Sequence, residues 1–370
     1  MRISFKTELK LNNYQRTQLA KHAGVARHAW NWGLDICQKI LKYNRDNPGE
    51  KLKFPSAIDL HKLLVKLVKG ENPWYYEVSK TITQYALKYL SAAFTDFFKK
   101  KSARGRPVGF PNFKRKGQHD SFTLEGSIKV GHRSLQLPKL GILKTYERIP
   151  QGLSPKTAVI SRTANRWFVS FSYEIELTTT VKVVNVCGVD LGIKTLATLS
   201  TGEAFANPQP YRKSQAKLAR LQKAASRKVK GSNNRHKANM KVAKQHARTS
   251  NIRKDTLNKL TTHLAKNHSH VVIEDLNVSG LMANHCLAKS IADLGMYEFR
   301  RQLTYKCELY GSELILANHF FPSSKTCSCC GHIQEMPLKE RIFNCQKCST
   351  SIDRDLNAAL NLKNQAFVVA

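Results

Sequence analysis

Two sets of side chains in this 370-residue chain have types and spacing suited to chemistry. The first is "CSCCGHIQEMPLKERIFNCQKC", Cys327 to Cys348, which holds five of the nine cysteines. Cys327 and Cys330 are separated by two residues, as are Cys345 and Cys348, with fourteen residues between the pairs. Two such pairs can close a tetrahedron of thiolates around one Zn2+ ion. Cys330 is preferred to Cys329 because it keeps the two-residue spacing and is followed by Gly331, which lets the backbone turn under a metal. The second pair is followed by Ser349, where glycine would be expected, so its turn is less well specified. His332 reads as a polar neighbour rather than a ligand. Four thiolates leave no coordination position open, so the zinc would be structural and the reactive centre must lie elsewhere.

The second set is three acids. Asp190 ends the apolar run "VVNVCGVD", Glu274 ends "HVVIE", and Asp355 lies in "IDRDLNAALNL" at the start of a helix-forming stretch. Two carboxylates at strand ends and a third from a helix form a cage for two Mg2+ or Mn2+ ions about 3.5–4 Å apart, the arrangement that hydrolyses phosphodiesters. Hard oxygen ligands suit those ions and not zinc. Asp353 precedes the helical run and is expected to cap it, with Asp355 pointing elsewhere. Asp275 follows Glu274 on a strand and should face the opposite side. Taken singly, each acid is explained by a cap or a surface ion pair. Together they point to a metal-dependent nuclease.

The elements that must position these groups follow from periodicity. Residues 1–9 alternate as a strand, with Ile3, Phe5 and Leu9 on one side. From Asn13 to about Lys101 the pattern is helical, with Asn13, Ser56 and Ser79 as expected N-caps. "KKKSARGRPVGFPNFKRKG" interrupts it with glycine, proline and eight basic residues, a loop suited to phosphate contact. Strand-like segments follow to about Leu177 and predict a short antiparallel barrel or sheet that the first strand can join. "VVNVCGVDLGIKTLATLSTGE" reads as a hairpin. Ala204 to Lys254 then contains no acid and 15 Lys or Arg, which predicts a helical pair facing a polyanion. "DLGMYEFRRQLTYKCELYG" is a helix whose apolar stripe makes Cys307 a core residue. "SELILANHF" is one more strand before the cysteines, and the last helix begins near Asp353.

Bulk charge agrees with a polyanionic partner. Lys plus Arg number 61 against 26 Asp plus Glu, a net charge of +35. The basic residues are spread through folded-looking segments rather than gathered on one amphipathic helix, and no apolar run approaches membrane-spanning length, so no membrane partner is expected. No signal-peptide pattern opens the chain, and Cys37, Cys187, Cys286 and Cys307 are isolated, which fits a reducing, intracellular compartment. Candidate nucleic-acid contacts are Arg27, Trp30, Arg104, Arg106, Phe113, Lys114, Arg115, Arg212, Lys213, Arg227 and Lys228.

Several segments together resemble the TnpB (OrfB) proteins of insertion sequences, which are related to type V CRISPR effector nucleases. They include "RHAWNWGL", "GFPNFKRKGQHDSFTLEG", "ISRTANRWFVSF", "GVDLGIKTLATLS", "VVIEDLN", "SSKTCSCCG" and "CQKCSTSIDRDLNAALNL". The resemblance implies a mixed α/β, multidomain fold. Residues 1–10 would be the first strand of a wedge-like β barrel, 11–103 a helical recognition lobe and 104–180 the rest of the barrel. Residues 181–370 would be an RNase H-like RuvC domain with a zinc ribbon at about 322–350. Asp190, Glu274 and Asp355 would be the catalytic acids, and the activity RNA-guided DNA cleavage. The implied partners are a guide RNA from the transposable element and target double-stranded DNA. The protein would act as a monomer in the ribonucleoprotein, in a bacterial or archaeal cytoplasm beside the nucleoid. Two other readings share these residues: a transposase performing strand transfer with the same metals, and a non-catalytic nucleic-acid-binding regulator.

Overall fold

The computed structural model describes residues 1–100, 107–150, 152–177, 180–337 and 339–366. The chain divides into two compact units, Arg2–Ile175 and, together with Met1, the residues from Glu176 onward.

The first unit opens with β1 (Arg2–Lys10), whose odd-numbered side chains from Ile3 to Leu9 turn inward as their alternation requires. Helix α1 (Asn13–Asp46) is capped one residue earlier than expected. Asn12 Oδ1 accepts from the Gln15 backbone N–H at 2.8 Å while Gln15 Oε1 accepts from Asn12 N–H, a reciprocal pair that Asn13 is placed too late to make. Ser56 caps α2 (Ala57–Leu64) in the same reciprocal way with Asp59. A π turn (Val65–Lys69) and a short 3-10 turn (Pro73–Tyr75) lead to α3 (Thr81–Phe98). There the cap position falls on Lys80, because the Ser79 hydroxyl bonds the Thr81 hydroxyl at 3.0 Å instead of a helix N–H.

The strands of this unit are β2 (Ser121–Glu125), β3 (Lys129–Gly131), β4 (Ser134–Leu137), β5 (Gly141–Thr145), β6 (Thr157–Thr163) and β7 (Arg166–Glu174). With β1 they form one seven-stranded antiparallel sheet in the order β2-β6-β7-β1-β5-β4-β3. Strand β1 joins its two halves, pairing β7 along Arg2–Glu8 and β5 at Leu9 and Lys10. The sheet is open, which corrects the expected closed barrel: β2 and β3 are its edges and do not pair. Helix α3 packs on β2, where the Tyr89 hydroxyl meets the Thr123 hydroxyl at 3.0 Å, and β3 has only three residues to offer. A helix laid on an edge strand protects it as closure would. Leu34, Leu87, Leu90, Leu124, Ile160 and Val169 are fully buried in a core that helices and sheet share.

The second unit is built on β8 (Val184–Asp190), β9 (Thr195–Leu199), β10 (Ala204–Ala206), β11 (His268–Glu274) and β12 (Glu313–Ala317), in the order β10-β9-β8-β11-β12. The first three pair antiparallel, and β8, β11 and β12 run parallel. Between β10 and β11 lie the basic helices α4 (Pro210–Ser226) and α5 (Asn233–Asn267), joined by a buried hydroxyl pair, Ser214 and Thr249, at 3.0 Å. Helices α6 (Val278–Ala283), α7 (Ala288–Leu294) and α8 (Met296–Tyr310) follow β11. Phe299, Leu303 and Cys307 of α8 are buried in the core, as their stripe predicted. A two-stranded hairpin, β13 (Ile342–Asn344) and β14 (Ser351–Asp353), carries the chain into α9 (Arg354–Gln365). Among the described residues no helix is long and apolar enough to cross a membrane.

Helix α9 crosses β8 in backbone contact. A Cβ on Gly188 would lie 2.0 Å from the Ala359 carbonyl oxygen and 2.4 Å from Lys363 N. Neither neighbour is a flexible side chain that could move aside. Gly188→Ala is therefore expected to destabilise the second unit by at least about 3 kcal/mol, measured by denaturant unfolding. A change below about 1 kcal/mol would show that the helix can slide.

Candidate active site and metal centre

Parallel pairing sets Val189 opposite Ile273, so Asp190 and Glu274 are the next residues at two adjacent strand ends. Gly188 faces α9, and Val272 packs with Leu362 of that helix and with Ala366, which caps its end. Side chains alternate along a strand, so Asp190 and Glu274, each two residues further on, project to the α9 face. Asp355 lies one turn before Ala359, which touches Gly188. The four residues from Asp355 to Ala359 advance about 6 Å and the two from Gly188 to Asp190 about 6.6 Å, so Asp355 and Asp190 lie comparable steps from the Gly188–Ala359 contact.

Electrostatics agree with that placement. The Asp190 carboxyl is pushed up from 3.8 to about 7, first by burial and then by the charges of Glu274 and Asp355, with Arg354 opposing. Glu274 Oε1 accepts a hydrogen bond from the Ser323 hydroxyl. Asp355 Oδ1 lies 3.4 Å from Arg354 Nη2. Asp353 caps α9, accepting from Asp355 and Leu356 N–H at 3.0 and 3.1 Å. Asp275 is held by Arg300 of α8. Oxygen donors that repel one another, one drawn toward its neutral form, fit a divalent hard cation, which would relieve both the repulsion and the desolvation.

The cysteines gather more tightly. Among the described residues, only Cys327, Cys330, Cys345 and Cys348 form a group of three or more candidate ligands with every ligand atom within 4.8 Å of every other. The sulfurs of Cys327 and Cys348, and of Cys330 and Cys345, are each 3.6 Å apart. Zn–S bonds near 2.3 Å in a tetrahedron require an edge of about 3.8 Å, so the set fits zinc. The two knuckles repeat one pattern. Gly331 N–H donates to Cys327 O and Ser349 N–H to Cys345 O, while Cys327 N–H donates to His332 O and Cys345 N–H to Thr350 O. His332 thus supplies a carbonyl, and Cys329 stands exposed outside the set.

Ser349 takes the glycine conformation, at φ 54° against 73° for Gly331. A side chain in that region costs about 1 kcal/mol. Ser349→Gly is accordingly expected to tighten zinc binding roughly five-fold, read by competition with a chelator. Unchanged or weaker binding would show that the serine is not strained.

The hairpin ties this centre to the acids, through residues that periodicity did not single out. Asp353 is both the last residue of β14 and the cap of α9. Asn357, fully buried, accepts from Ser328 N–H at 2.9 Å and donates to Thr326 O at 2.7 Å. Asn361, one turn on, donates to Ser323 O and Thr326 O. The available signal was two asparagines spaced i, i+4 within an otherwise apolar helical stripe, since buried amides persist only where their hydrogen bonds are met. Ser323 carried no such signal.

The expected nucleic-acid contacts separate into two groups. Arg27 is ion-paired with Asp120 at 3.1 Å, and Trp30 is buried with its indole N–H donated to Asn112 O. The Lys114 ammonium lies 3.9 Å from the centre of the Trp30 ring, and Asn31 bonds both backbone groups of Lys114. These side chains fasten the loop onto α1. Phe113, Arg115, Arg212, Lys213, Arg227 and Lys228 are exposed. Arg104 and Arg106 lie outside the described residues.

Three family models match the chain. One described as "Probable transposase" covers residues 170–285, one described as "Cas12f1-like, TNB domain" covers 297–362, and one described as "Helix-turn-helix domain" covers 1–46. The last falls here on a strand and one uninterrupted 34-residue helix. A "Putative RNA-guided DNA endonuclease" of Streptomyces pristinaespiralis is 40% identical over 97% of this chain and 88% of its own. The "Putative RNA-guided DNA endonuclease InsQ" of Escherichia coli (strain K12) is 32% identical over 97% of this chain and 91% of its own. Among solved structures, the Cas12f1 chain in a complex with sgRNA and target DNA matches at TM-score 0.38 and 14% identity, covering 99% of this chain and 100% of that one.

Proposed function

The chain belongs to the TnpB/OrfB family, and from that premise we propose that it is an RNA-guided DNA endonuclease cleaving at Asp190, Glu274 and Asp355. What supports the reading is that Asp190 and Glu274 end adjacent parallel strands on the face that α9 crosses, with the charges of Glu274 and Asp355 adding to burial in pushing the Asp190 carboxyl up. The order of three antiparallel strands followed by two parallel ones supports an RNase H-like nuclease domain. Asp190, Glu274 and Asp355 would hold two Mg2+ or Mn2+ ions, which when bound supply an activated water and stabilise the leaving oxygen. The protein's own work is to present oxygens from two rigid strands and a capped helix, so that little reorganisation remains when DNA arrives. The cysteine set would hold one structural zinc.

Specificity would come from pairing between a guide RNA and the target strand, with the protein reading a short flanking duplex. The acid-free stretch Ala204 to Lys254, which takes in α4 and the first part of α5, suits the phosphate backbones, and a net charge of +35 implies steep loss of binding with salt. The test is to purify the protein through high salt, sequence the RNA that stays bound, and offer a matching plasmid with randomised flanks and Mg2+. Cutting confined to matched plasmids is expected. Intact bound RNA without cutting of any plasmid would favour the regulator. Joined DNA ends that form equally after ribonuclease treatment would favour strand transfer, the activity suggested by the words "Probable transposase".

A further inference from the structure

We propose that Ser323 is a positioning residue for Glu274, and that zinc occupancy of the cysteine centre sets divalent-ion affinity at the acids through the turn that contains it. This rests on the reading of Glu274 as an ion ligand. Ser323 is 4% exposed and donates its hydroxyl proton to Glu274 Oε1, which fixes that oxygen and leaves Oε2 to an ion. Its own place is fixed from two sides. Asn361 of α9 donates to its carbonyl at 2.8 Å. Pro322 O accepts from Lys325 N–H, Thr326 N–H and the Thr326 hydroxyl, which closes residues 322–326 into one turn.

That turn ends at Cys327, the first zinc ligand, and Thr326 O receives donors from both Asn357 and Asn361. A continuous path of hydrogen bonds thus runs from the knuckle to the Glu274 carboxylate, and the same helix carries Asp355. Burying two amides and a hydroxyl costs free energy unless each is bonded, and here both amides bond this one turn while its hydroxyl bonds Glu274. An apolar contact could fill the space, but it could not orient a carboxylate.

Hydrogen-bond partners of metal ligands typically govern 10–100-fold in metal affinity. Ser323→Ala is therefore expected to weaken Mn2+ binding at the acids at least about ten-fold, read as free Mn2+ by electron paramagnetic resonance on the RNA-bound protein. Zinc content should be unchanged, Ser323→Thr should restore most of the affinity, and zinc-loaded Asn361→Leu should shift it in the same direction. Mn2+ affinity of zinc-replete Ser323→Ala within two-fold of the parent would overturn the proposal. Equal weakening in Ser323→Thr would do so too, by assigning the effect to packing. The parallel variant Glu274→Gln separates the premises. If it binds Mn2+ as the parent does, the assignment of Glu274 as a ligand is what fails.

Discussion

Asp190→Asn is expected to lower DNA cleavage at least about 1,000-fold and yet, in Mg2+-free buffer, to make the folded protein more stable above pH 7. The activity loss follows from removing one charged oxygen donor from a site whose ions must neutralise developing charge. The stability gain follows from linkage. The Asp190 carboxyl is raised from 3.8 to about 7 in the folded chain, so folding favours its protonated form. That contribution is complete below about pH 4 and is lost as pH rises through about 7. Asparagine does not titrate and keeps its neutrality at every pH. The variant and the parent should be similar near pH 4 and differ by on the order of 3–4 kcal/mol at pH 8, measured by urea unfolding of the zinc-loaded proteins. Mg2+ should restore stability to the parent and not to the variant. If the two unfold alike at pH 8, the three carboxylates are not crowded and the cleaving centre has been assigned wrongly.

Removing both ligands of the first knuckle, Cys327→Ser with Cys330→Ser, is expected to unfold the segment around residues 322–350 and to abolish cleavage with it. The ribbon has almost no core of its own: Met336 and Phe343 pack with Cys327 and Cys345, with Ile352 alongside. So small an apolar cluster does not fold a segment of this length without a staple. Structural zinc contributes on the order of 10 kcal/mol to such modules. Its loss would release the turn at 322–326, and with it the bonds to Asn357 and Asn361 and the hairpin that delivers Asp353 to its capping position. Limited proteolysis should cut the variant within the ribbon and leave the first unit intact. Normal cleavage by a zinc-free variant would make the ribbon an ornament.

Much of this was legible in one dimension. Thiol spacing picked out the four cysteines whose sulfurs gather within 4.8 Å, because a tetrahedron constrains neighbours along the chain. Apolar runs ending in acid marked Asp190 and Glu274, because strand ends are where buried sequence meets solvent. The stripe that placed Cys307 in the core and the capping role of Asp353 follow from helical geometry over a single turn. The cap of α1 fell on Asn12 rather than Asn13 because two adjacent asparagines could each cap, and that of α3 fell past Ser79 because its hydroxyl bonds Thr81 instead.

The rest depended on which segments meet. An open sheet and a closed barrel are written with the same alternation, and α3 lying on β2 distinguished them. That Trp30 donates to Asn112 O and that Asn31 holds the Lys114 backbone shows only in three dimensions. Ser323 was one hydroxyl among many before the fold carried it to Glu274, 49 residues away along the chain. Sequence by itself determined the kinds of chemistry available, because ligand type and local period are written in neighbouring residues. The tertiary structure alone decided which groups share a site, because hydrogen bonds and charge repulsion act through space and take no account of separation along the chain.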